Sequence, residues 1–344
     1  MQFSADSIFQ TEPYLNAYRK YFGRGKSWHT IETEGGAQAH LMSRGRTARR
    51  LEWWSAGIHD VGGAKYFDEE SAHELWRRIH ELSCSHHASH LAQIEAGSPF
   101  IEWARRDGWQ VQEAEMCPVL TLPATWDEYV RGLGKNMREQ IKRYPKRLEK
   151  QFAVETHLAQ TPDEVRIALD DLFRLHGKRW RARGQSGVLA TPRRQKFHRE
   201  VCEEFLARDW LRLWSLKVDG RAACVLLAYV YQGRYSFFIG GFEPELMRWS
   251  VGTCLFAKVL SGAIAEGATE FDFLRGEEDY KYRLGAQNRR YQTLTRFADS
   301  PRGRLLKRRI ALESTLMHEI HRRFGAGKAK EAKIQAPAEE TSTA

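Results

Sequence analysis

The sequence lacks several features that would identify a protein class at once. Its five cysteines are scattered and form no CxxC pair, which favours reduced thiols over disulfides or a thiolate metal site. The most apolar run, Ala222 to Val230, is far shorter than the roughly 20 residues that span a membrane. Neither a GxxxxGK[ST] nor a GxGxxG phosphate loop occurs. These absences argue against a disulfide-stapled domain, an integral membrane protein and the common nucleotide-binding folds.

The N-terminal segment Met1 to Thr11 also lacks a basic run followed by an apolar core. We therefore expect a cytoplasmic protein, because a secretory leader requires both features. Positive charge is abundant, with 54 Lys and Arg against 44 Asp and Glu and a net charge of +10. This excess favours an anionic partner such as a phosphate, a nucleotide cofactor, RNA or a membrane surface with which the protein associates peripherally.

The length of 344 residues and the hydrophobic content of 42% predict two domains, because single cores rarely grow this large. We expect an N-terminal domain over residues 1–124 and a C-terminal domain over residues 125–324. The latter should end in a basic helix from Leu305 to Phe324. Residues 325–344 have almost nothing to bury, which predicts a disordered tail.

The first half predicts alternating helices and strands on a small scale. Residues 1–68 have the composition of short strands and loops, and the following elements are predicted by hydrophobic periodicity: a helix over Glu69–Glu81, a strand over His90–Glu95, a helix over Pro99–Arg106 and a strand over Val111–Leu122.

Two histidine motifs in this half were weighed as functional sites. His86 and His90 stand four residues apart, but no second ligand pair lies nearby, so we expect no metal site. His59-Asp60 is interpreted as a turn instead of a catalytic dyad, since the sequence cannot place a nucleophile beside it.

The second half opens with helices. Thr125 and Glu128 form a capping box that predicts a long helix, in which Pro145 should cause a bend. One face of this helix is basic, which fits either a solvated surface or a site for a phosphate-bearing substrate; its residues are Lys135, Arg138, Lys142 and Lys146. Thr161-Pro162 and Thr191-Pro192 predict two further helix starts. Trp180, near the end of the first of these helices, could line an acceptor pocket or simply pack.

Period-two patterns then predict a three-stranded antiparallel meander over Leu211–Lys217, Ala222–Tyr231 and Tyr235–Ile239. A helix beginning near Ser250 and a strand over Phe271–Leu274 follow. Because strand–helix–strand crossovers are right-handed, strands 235–239 and 270–274 should lie parallel and adjacent. Arg290–Phe297 supplies a last strand. The predicted fold class is α/β of the α+β type, with mixed, mostly antiparallel sheets flanked by helices.

This order of elements resembles the core of the GCN5-related N-acetyltransferase (GNAT) fold. The run Asp272-Phe273-x-Arg275-Gly276-x3-Tyr280-Lys281, together with Ser250-Val251-Gly252 and the basic helix from Arg138 to Arg147, resembles the cellulose-biosynthesis acetyltransferase (CelD/BcsL-like) family. That family is related to the FemAB peptidyltransferases, and the similarity covers roughly residues 30–320. It implies tandem GNAT-like domains, with the acyl-donor site in the second domain and the acceptor in the cleft between them.

The resemblance implies acetyl-CoA or another acyl-CoA as co-substrate, and no metal. The donor-binding residues it implies are Phe238, Gly240, Gly241, Arg248, Ser250, Gly252 and Thr253. The usual GNAT pyrophosphate loop has the form Q/R-x-x-G-x-G/A, whereas Arg248–Thr253 has one residue more and lacks the last glycine or alanine. A helix N-terminus can bind an anion without the strict motif, although an ordinary capped helix would look the same.

In the mechanism that such a fold imposes, Asp272 is the first choice for the general base and Glu277 the second. Tyr280 would protonate the departing thiolate, and Lys281 would bind acceptor phosphate or stabilise charge. Residues expected to contact the acceptor are Arg138, Trp180 and Arg275. An aspartate beside arginines at a strand end can also be a structural ion pair.

Three functions follow from these features. The leading hypothesis is an acyl-CoA-dependent N- or O-acyltransferase, foremost an acetyltransferase, that acts on a sugar or amine in exopolysaccharide biosynthesis. The second is a FemAB-like transferase that uses aminoacyl-tRNA. The third is a non-catalytic RNA- or ligand-binding protein on a GNAT-like scaffold, in which Asp272 has no chemical role.

Overall fold

The structure is a computed structural model that describes residues 7–58, 60–182 and 184–312. Two mostly antiparallel sheets are flanked by helices, which confirms the predicted fold class. Residues 301–312 are helical, whereas the rest of the predicted helix Leu305–Phe324 and the predicted tail 325–344 lie outside the described residues.

The first sheet is built mainly from the N-terminal part of the chain. Its strand order is β1-β2-β3-β4-β13-β5, and the β3/β4 pair is parallel. The elements in this part are α1 (Glu12–Phe22), β1 (Lys26–Glu32), β2 (Gln38–Arg44), β3 (Arg50–Trp53), α2 (Glu69–Cys84), β4 (Ala88–Glu95), α3 (Phe100–Arg106), β5 (Gln110–Glu113) and β6 (Cys117–Thr121).

The second sheet has the order β12-β6-β11-β10-β9-β8-β7. The elements of the C-terminal part are α4 (Trp126–Gly132), α5 (Lys135–Gln151), β7 (Val154–Leu158), α6 (Pro162–Arg181), α7 (Pro192–Leu206), β8 (Leu211–Val218), β9 (Arg221–Tyr231), β10 (Arg234–Phe242), α8 (Val251–Ala265), β11 (Glu270–Asp272), α9 (Asp279–Arg283), β12 (Gln287–Arg289) and β13 (Tyr291–Phe297).

The two sheets exchange strands. β6 precedes residue 125 but pairs with β11 and β12 of the second sheet, while β13 lies between β4 and β5 of the first. The predicted single strand Val111–Leu122 is therefore wrong, because it forms two strands in different sheets. The exposed segment β5 is an edge strand, whereas the mostly buried segment β6 has a partner on each side.

The prediction that residues 1–68 contain only short strands and loops is also wrong, because α1 is a helix of 11 residues. Thr11 stands at its N-cap and Pro13 lies in its first turn, where proline needs no hydrogen-bond acceptor. Tyr14 and Tyr18 are buried one turn apart on its inner face.

The capping box at Thr125 is confirmed, as are the helix starts after Thr161 and Thr191. The predicted long helix is interrupted, however, because Leu133 and Gly134 adopt extended backbone angles between α4 and α5. Glycine is a poor helix former, and the turn buries the Leu133 side chain.

The meander and the crossover are confirmed. β8, β9 and β10 are joined by antiparallel pairings, and α8 leads to β11, which runs parallel to β10. The α8 face of the sheet buries Phe271 and Phe273, whereas the opposite face packs against α1, α6 and α7. Strand ends from this parallel pair position the candidate site.

Candidate active site

The parallel strands β10 and β11 separate after a short paired segment. They pair only over Arg234–Ser236 and Glu270–Asp272, after which β11 ends and β10 continues to Phe242. The β10/β9 register shifts between residues 237 and 239, so Phe238 is an unpaired bulge residue just beyond the point of separation. Bulges of this kind are frequent beside active sites because they redirect backbone groups. The result is a gap in the sheet flanked by an irregular backbone segment.

The N-terminus of α8 presents free backbone donors near the same region. First-turn N–H groups of a helix have no intrahelical acceptor, and the Ser250 side chain does not cap them. Ser250 itself is left-handed, with φ of 55°. A Cβ atom added at Gly252 would meet no other atom within 4 Å, so this turn has an open side. Such a terminus can bind a phosphate group, and Thr253 lies in the same turn.

Arg147 of α5 lies beside this helix start. Arg147 donates an Nη2 hydrogen bond to the Arg248 carbonyl oxygen at 2.5 Å, and its guanidinium lies 5.0 Å from the Trp249 ring centroid. Arg143 lies 5.6 Å from the ring of Tyr144 in the same helix. The face of Trp249 holds the Arg147 guanidinium in place, so one positive charge lies beside the free N–H groups. Arg248, which was predicted to bind the donor, is exposed here.

Asp272 is the last residue of β11 and is only 1% exposed. Its Oδ1 accepts a hydrogen bond from the Leu274 N–H at 2.7 Å, and Leu274 adopts a left-handed φ of 54° to make this turn. Burial raises the pKa of Asp272 to about 6, although this hydrogen bond and the charges of Arg234 and Arg289 act in the opposite direction. A carboxylate with this pKa is a suitable general base near neutral pH.

Tyr280 lies in α9 on the opposite face of the sheet from Asp272. Its ring contacts Phe256 of α8 at 5.4 Å and Phe273 at 6.4 Å between centroids. Burial raises the pKa of its hydroxyl, so the group stays protonated and can act as a proton donor. Glu277 is exposed at the protein surface, where it accepts a hydrogen bond from the Tyr282 hydroxyl.

Two predicted substrate contacts are instead engaged within the protein. Lys281 is 2% exposed, and its Nζ donates to the carbonyl oxygens of Arg275 and Gly276, each at 2.9 Å. The Arg275 Nε binds the Asp60 carboxylate at 2.7 Å. Lys281 therefore holds the loop after β11, and Arg275 ties that loop to the first half of the chain.

The other predicted acceptor residues lie on α5 and α6. Arg138 donates to the carbonyl oxygens of Arg131 and Leu133 at 2.9 and 2.8 Å, so it caps the end of α4. Trp180 is half-buried, with its ring 5.8 Å from that of His176.

Gly240 and Gly241 are required by packing. A Cβ atom at Gly241 would lie 2.7 Å from the backbone nitrogen of His176, and one at Gly240 would lie 2.6 Å from the Leu226 side chain. These glycines let α6 and β9 approach β10 closely.

Sequence reasoning did not select several charged residues near Asp272. Arg234 and Glu270 are register partners at the starts of β10 and β11, and their side chains form an ion pair at 2.8 Å. Because the two strands were predicted to be parallel and adjacent, aligning their first residues could have found this pair. Asp60 and Arg289 come from distant segments and gave no such signal.

Among residues 7–58, 60–182 and 184–312 no group of three His, Cys, Asp or Glu side chains could hold a metal ion. His86 is buried, and its ring bonds Ser43 and the Leu82 carbonyl instead. Across the same ranges, none of the helices combines the length and apolar character needed to cross a bilayer.

Comparisons with known proteins agree with this geometry. Residues 135–282 match the family model described as an acetyltransferase (GNAT) domain. This part of the chain is therefore similar to a GNAT acetyltransferase domain, in agreement with the predicted acyltransferase class. The match includes α5, the bulge, the α8 N-terminus, Asp272 and Tyr280. No curated protein sequence matches the chain.

Three solved structures share the fold over most of their length. The crystal structure of FemX has a TM-score of 0.66 at 10% identity. The superposition covers 87% of this chain and 94% of the FemX chain. L-PGS from Bacillus licheniformis has a TM-score of 0.56 at 12% identity, with coverage of 88% and 95%. The C-terminal domain of a putative lysylphosphatidylglycerol synthetase from Agrobacterium fabrum has a TM-score of 0.54 at 12% identity, with coverage of 85% and 94%. At these identities the similarity concerns the fold alone.

Proposed function

We propose that this protein is an acyl-CoA-dependent N- or O-acyltransferase that transfers an acyl group, acetyl foremost, to a sugar or amine acceptor. The observation that carries the proposal is the gap where β10 and β11 separate beside the bulge at Phe238, together with the open N-terminus of α8, whose Phe256 contacts Phe237 of β10. Both features belong to the segment that matches the GNAT domain model.

The residues around α8 fit the diphosphate of an acyl-CoA. The uncapped N–H groups at Gly252 and Thr253 provide hydrogen-bond donors and the positive end of the helix dipole. Arg147 adds positive charge at the same helix start. When bound, acyl-CoA supplies an activated thioester whose carbonyl carbon accepts a nucleophile.

Three groups of the chain would then serve the transfer. The N–H of Phe238 or of the next β10 residues would donate to the developing oxyanion, a contribution of roughly 3 kcal/mol for one such donor. Asp272 would take the proton from the acceptor nitrogen or oxygen as that atom forms its bond to carbon. Tyr280 would give a proton to the sulfur as the carbon–sulfur bond breaks. The carboxyl and the phenol stand on opposite faces of the sheet, on either side of the gap.

The resemblance of residues 250–283 to the CelD/BcsL-like family supports a role in exopolysaccharide biosynthesis in the cytoplasm. Under this reading, Glu277 is exposed and Trp180 is half-buried, so both side chains reach solvent. They would contact the acceptor outside the gap.

Calorimetry with acetyl-CoA tests the donor assignment. We expect binding to the purified protein, and a loss of affinity of about tenfold for Arg147→Ala, which removes one charge-assisted contact of about 1.4 kcal/mol. Arg106→Ala is the matched control, because Arg106 is exposed on α3 and pairs with Glu102 at the surface. Failure of acetyl-CoA and of longer acyl-CoAs to bind would exclude the proposal.

A FemAB-like transferase that uses aminoacyl-tRNA is the second candidate. The fold similarity to FemX and the exposed basic residues of α5 favour it. It predicts tRNA binding whose affinity falls steeply as salt rises, because each phosphate contact releases counterions. Absent or salt-independent tRNA binding would rule it out.

A non-catalytic ligand-binding role is the third alternative. It predicts that Asp272→Asn leaves the cellular phenotype unchanged. Both transferase hypotheses instead predict that the substitution abolishes the function on which the phenotype depends. Growth or polysaccharide output of a strain that carries Asp272→Asn, compared with the wild-type strain, separates these outcomes.

A further inference from the structure

A cavity of about 700 Å³ opens where α1 and the first sheet meet the end of α7. Its volume falls in the range of roughly 300–1,000 Å³ that is typical of small-molecule sites. The wall combines polar and aromatic side chains, among them Gln10, Asn16, Thr30, His40, Trp54 and Trp210. Gln10 ends the short 3-10 helix Ile8–Gln10, and Trp54 directly follows β3.

Two buried side chains in this wall have hydrogen-bonding groups without partners. Gln10 and Trp54 are each 8% exposed. Among the residues that the structure describes, no hydrogen bond reaches the amide oxygen or the amide nitrogen of Gln10, or the indole nitrogen of Trp54. The statement for Gln10 holds for either orientation of its amide, because both atoms are unpaired. Buried polar groups are costly to leave unpaired, so this pair calls for a ligand that supplies the missing bonds.

The charged side chains of the wall are of both signs: Glu12, Glu200, Glu204, Lys65 and Arg208. Arg208 binds Glu204 at 2.7 Å, and Glu200 accepts a hydrogen bond from Lys20 at 2.5 Å. Burial lowers the pKa of His40, so its imidazole is neutral near pH 7. An ionic ligand would meet like charge and compete with these pairs, whereas an uncharged ligand leaves them intact.

The unpaired atoms also select the functional group of the ligand. The nitrogens of Gln10 and Trp54 need acceptors, whereas the Gln10 oxygen needs a donor. A hydroxyl group both donates and accepts. A carboxylate only accepts and an ammonium only donates, so either would leave part of this set unpaired.

Aromatic rings complete the wall. Trp210 and Tyr231 are half-buried, and their ring centroids lie 5.0 Å apart in an edge-to-face arrangement. Such rings offer apolar surface against which the C–H groups of a small ring can pack. The cavity thus joins hydroxyl-binding groups with an apolar platform.

We propose that this cavity binds an uncharged saccharide, with Gln10 and Trp54 hydrogen-bonded to neighbouring hydroxyl groups of one sugar ring. The C–H groups of that ring pack against Trp210 and Tyr231. The site goes beyond the proposed transfer reaction, since its residues take no part in that mechanism. Binding here requires neither acyl-CoA nor Asp272.

Ligand-observed NMR on the full-length protein tests the site near neutral pH. The probes are the methyl glycosides of glucose, galactose and mannose, which are uncharged and differ in the orientation of their hydroxyl groups. We expect at least one of them to bind. That glycoside should bind about tenfold more tightly, or better, than the uronic acid and the amino sugar of the same ring, because the charged groups satisfy only part of the unpaired set.

Two substitutions remove the unpaired groups and keep most of the side-chain volume. Gln10→Met removes the amide and Trp54→Phe removes the indole N–H, and each should weaken glycoside binding by about tenfold. Gln10→Met should also raise the melting temperature of the free protein, because the buried amide has no partner there. A purely structural role for Gln10 predicts the opposite shift. Gln112→Met, on the exposed edge strand β5, is the matched control and should leave binding unchanged.

The proposal is overturned if none of the three glycosides binds, if the charged counterparts bind equally well, or if Gln10→Met binds like the wild type. Gln10→Met decides the question alone should Trp54→Phe not fold. Acetyl-CoA titrations of the same samples keep the two proposals apart. Absent glycoside binding with intact acetyl-CoA binding rejects only this site, whereas glycoside binding without any acyl-CoA binding rejects only the transferase function.

Discussion

Asp272 is buried and Asp60 is partly buried, and the two carboxyl groups have different surroundings. Burial raises the pKa of each, but in Asp60 the charge and hydrogen bond of Arg275 oppose that effect directly. Asp60 is therefore a structural ion-pair partner that fastens the loop after β11. Among the residues that the structure describes, the hydrogen bond to Asp272 comes from the Leu274 backbone at 2.7 Å, so its ionisation works against folding. A group of this kind is expected where chemistry needs a proton acceptor.

This difference predicts a pH-dependent stability. The pKa of Asp272 is about 6 in the folded protein and 3.8 ordinarily, so between these values the unfolded chain is ionised while the folded protein keeps its proton. Stability from this group is therefore present below pH 4 and lost as pH rises to about 6. The loss amounts to roughly 3 kcal/mol at 1.36 kcal/mol per pKa unit.

Urea denaturation of the wild type and of Asp272→Asn at pH 4 and pH 7 measures the effect. Asparagine does not ionise, so the variant should not lose this stability as the pH rises. From pH 4 to pH 7 its free energy of unfolding should therefore increase by about 3 kcal/mol relative to that of the wild type. Parallel stability changes in both proteins would show that Asp272 ionises normally. Other titrating carboxyls, including Asp60, cancel in this difference.

At the scale of elements, two glycines near the gap have opposite surroundings. Gly241 of β10 is covered by α6, whereas Gly252 of α8 has open space where a Cβ would stand. Gly241→Ala should destabilise the protein by about 1–3 kcal/mol, because α6 must move. Gly252→Ala should leave stability unchanged or raise it by up to about 1 kcal/mol, since alanine favours helix.

The two glycine substitutions also distinguish a packing role from a role in binding the acyl donor. Gly252→Ala should weaken acetyl-CoA binding about tenfold in calorimetry, because the added methyl group occupies the open side of the first turn. Gly241→Ala should act mainly on the melting temperature. If Gly252→Ala binds acetyl-CoA normally, the diphosphate does not lie against this turn.

Arg138 gives a further test at this scale. Its two hydrogen bonds to the final carbonyls of α4 predict that Arg138→Ala lowers the free energy of unfolding by about 1 kcal/mol. Lys142→Ala on the same helix is the control, because Lys142 is exposed. An unchanged stability with a raised KM for the acceptor would instead support the predicted acceptor contact.

At the scale of the whole molecule, the local parts of the site were predictable from sequence. The meander, the crossover and the paired strands follow from short-range periodicity, and the resemblance to a known family then pointed to Asp272, Gly252 and Tyr280. The Asp60–Arg275 pair joins residues 215 positions apart, and no local pattern signals such a contact. The pairing of β13 with β4 could not be predicted either, because the register between distant segments depends on tertiary packing.

The strand exchange means that neither half of the chain contains a complete sheet. The first sheet needs β13 between β4 and β5, and the second needs β6 between β11 and β12. A fragment of residues 1–124 would therefore expose two unpaired strand edges, and residues 125–312 would lose the partner of β11 next to Asp272. Unpaired edges cost backbone hydrogen bonds and promote association.

We therefore predict that the fragments 1–124 and 125–312 do not fold separately, although the predicted domain boundary falls between them. Circular dichroism and NMR amide dispersion should show little ordered structure in either fragment. Co-expression should restore a complex that elutes as one species in size-exclusion chromatography, because β6 and β13 can then pair. The intact chain 1–312 is the control. Cooperative unfolding of an isolated fragment would show that the exchanged strand is dispensable for that sheet.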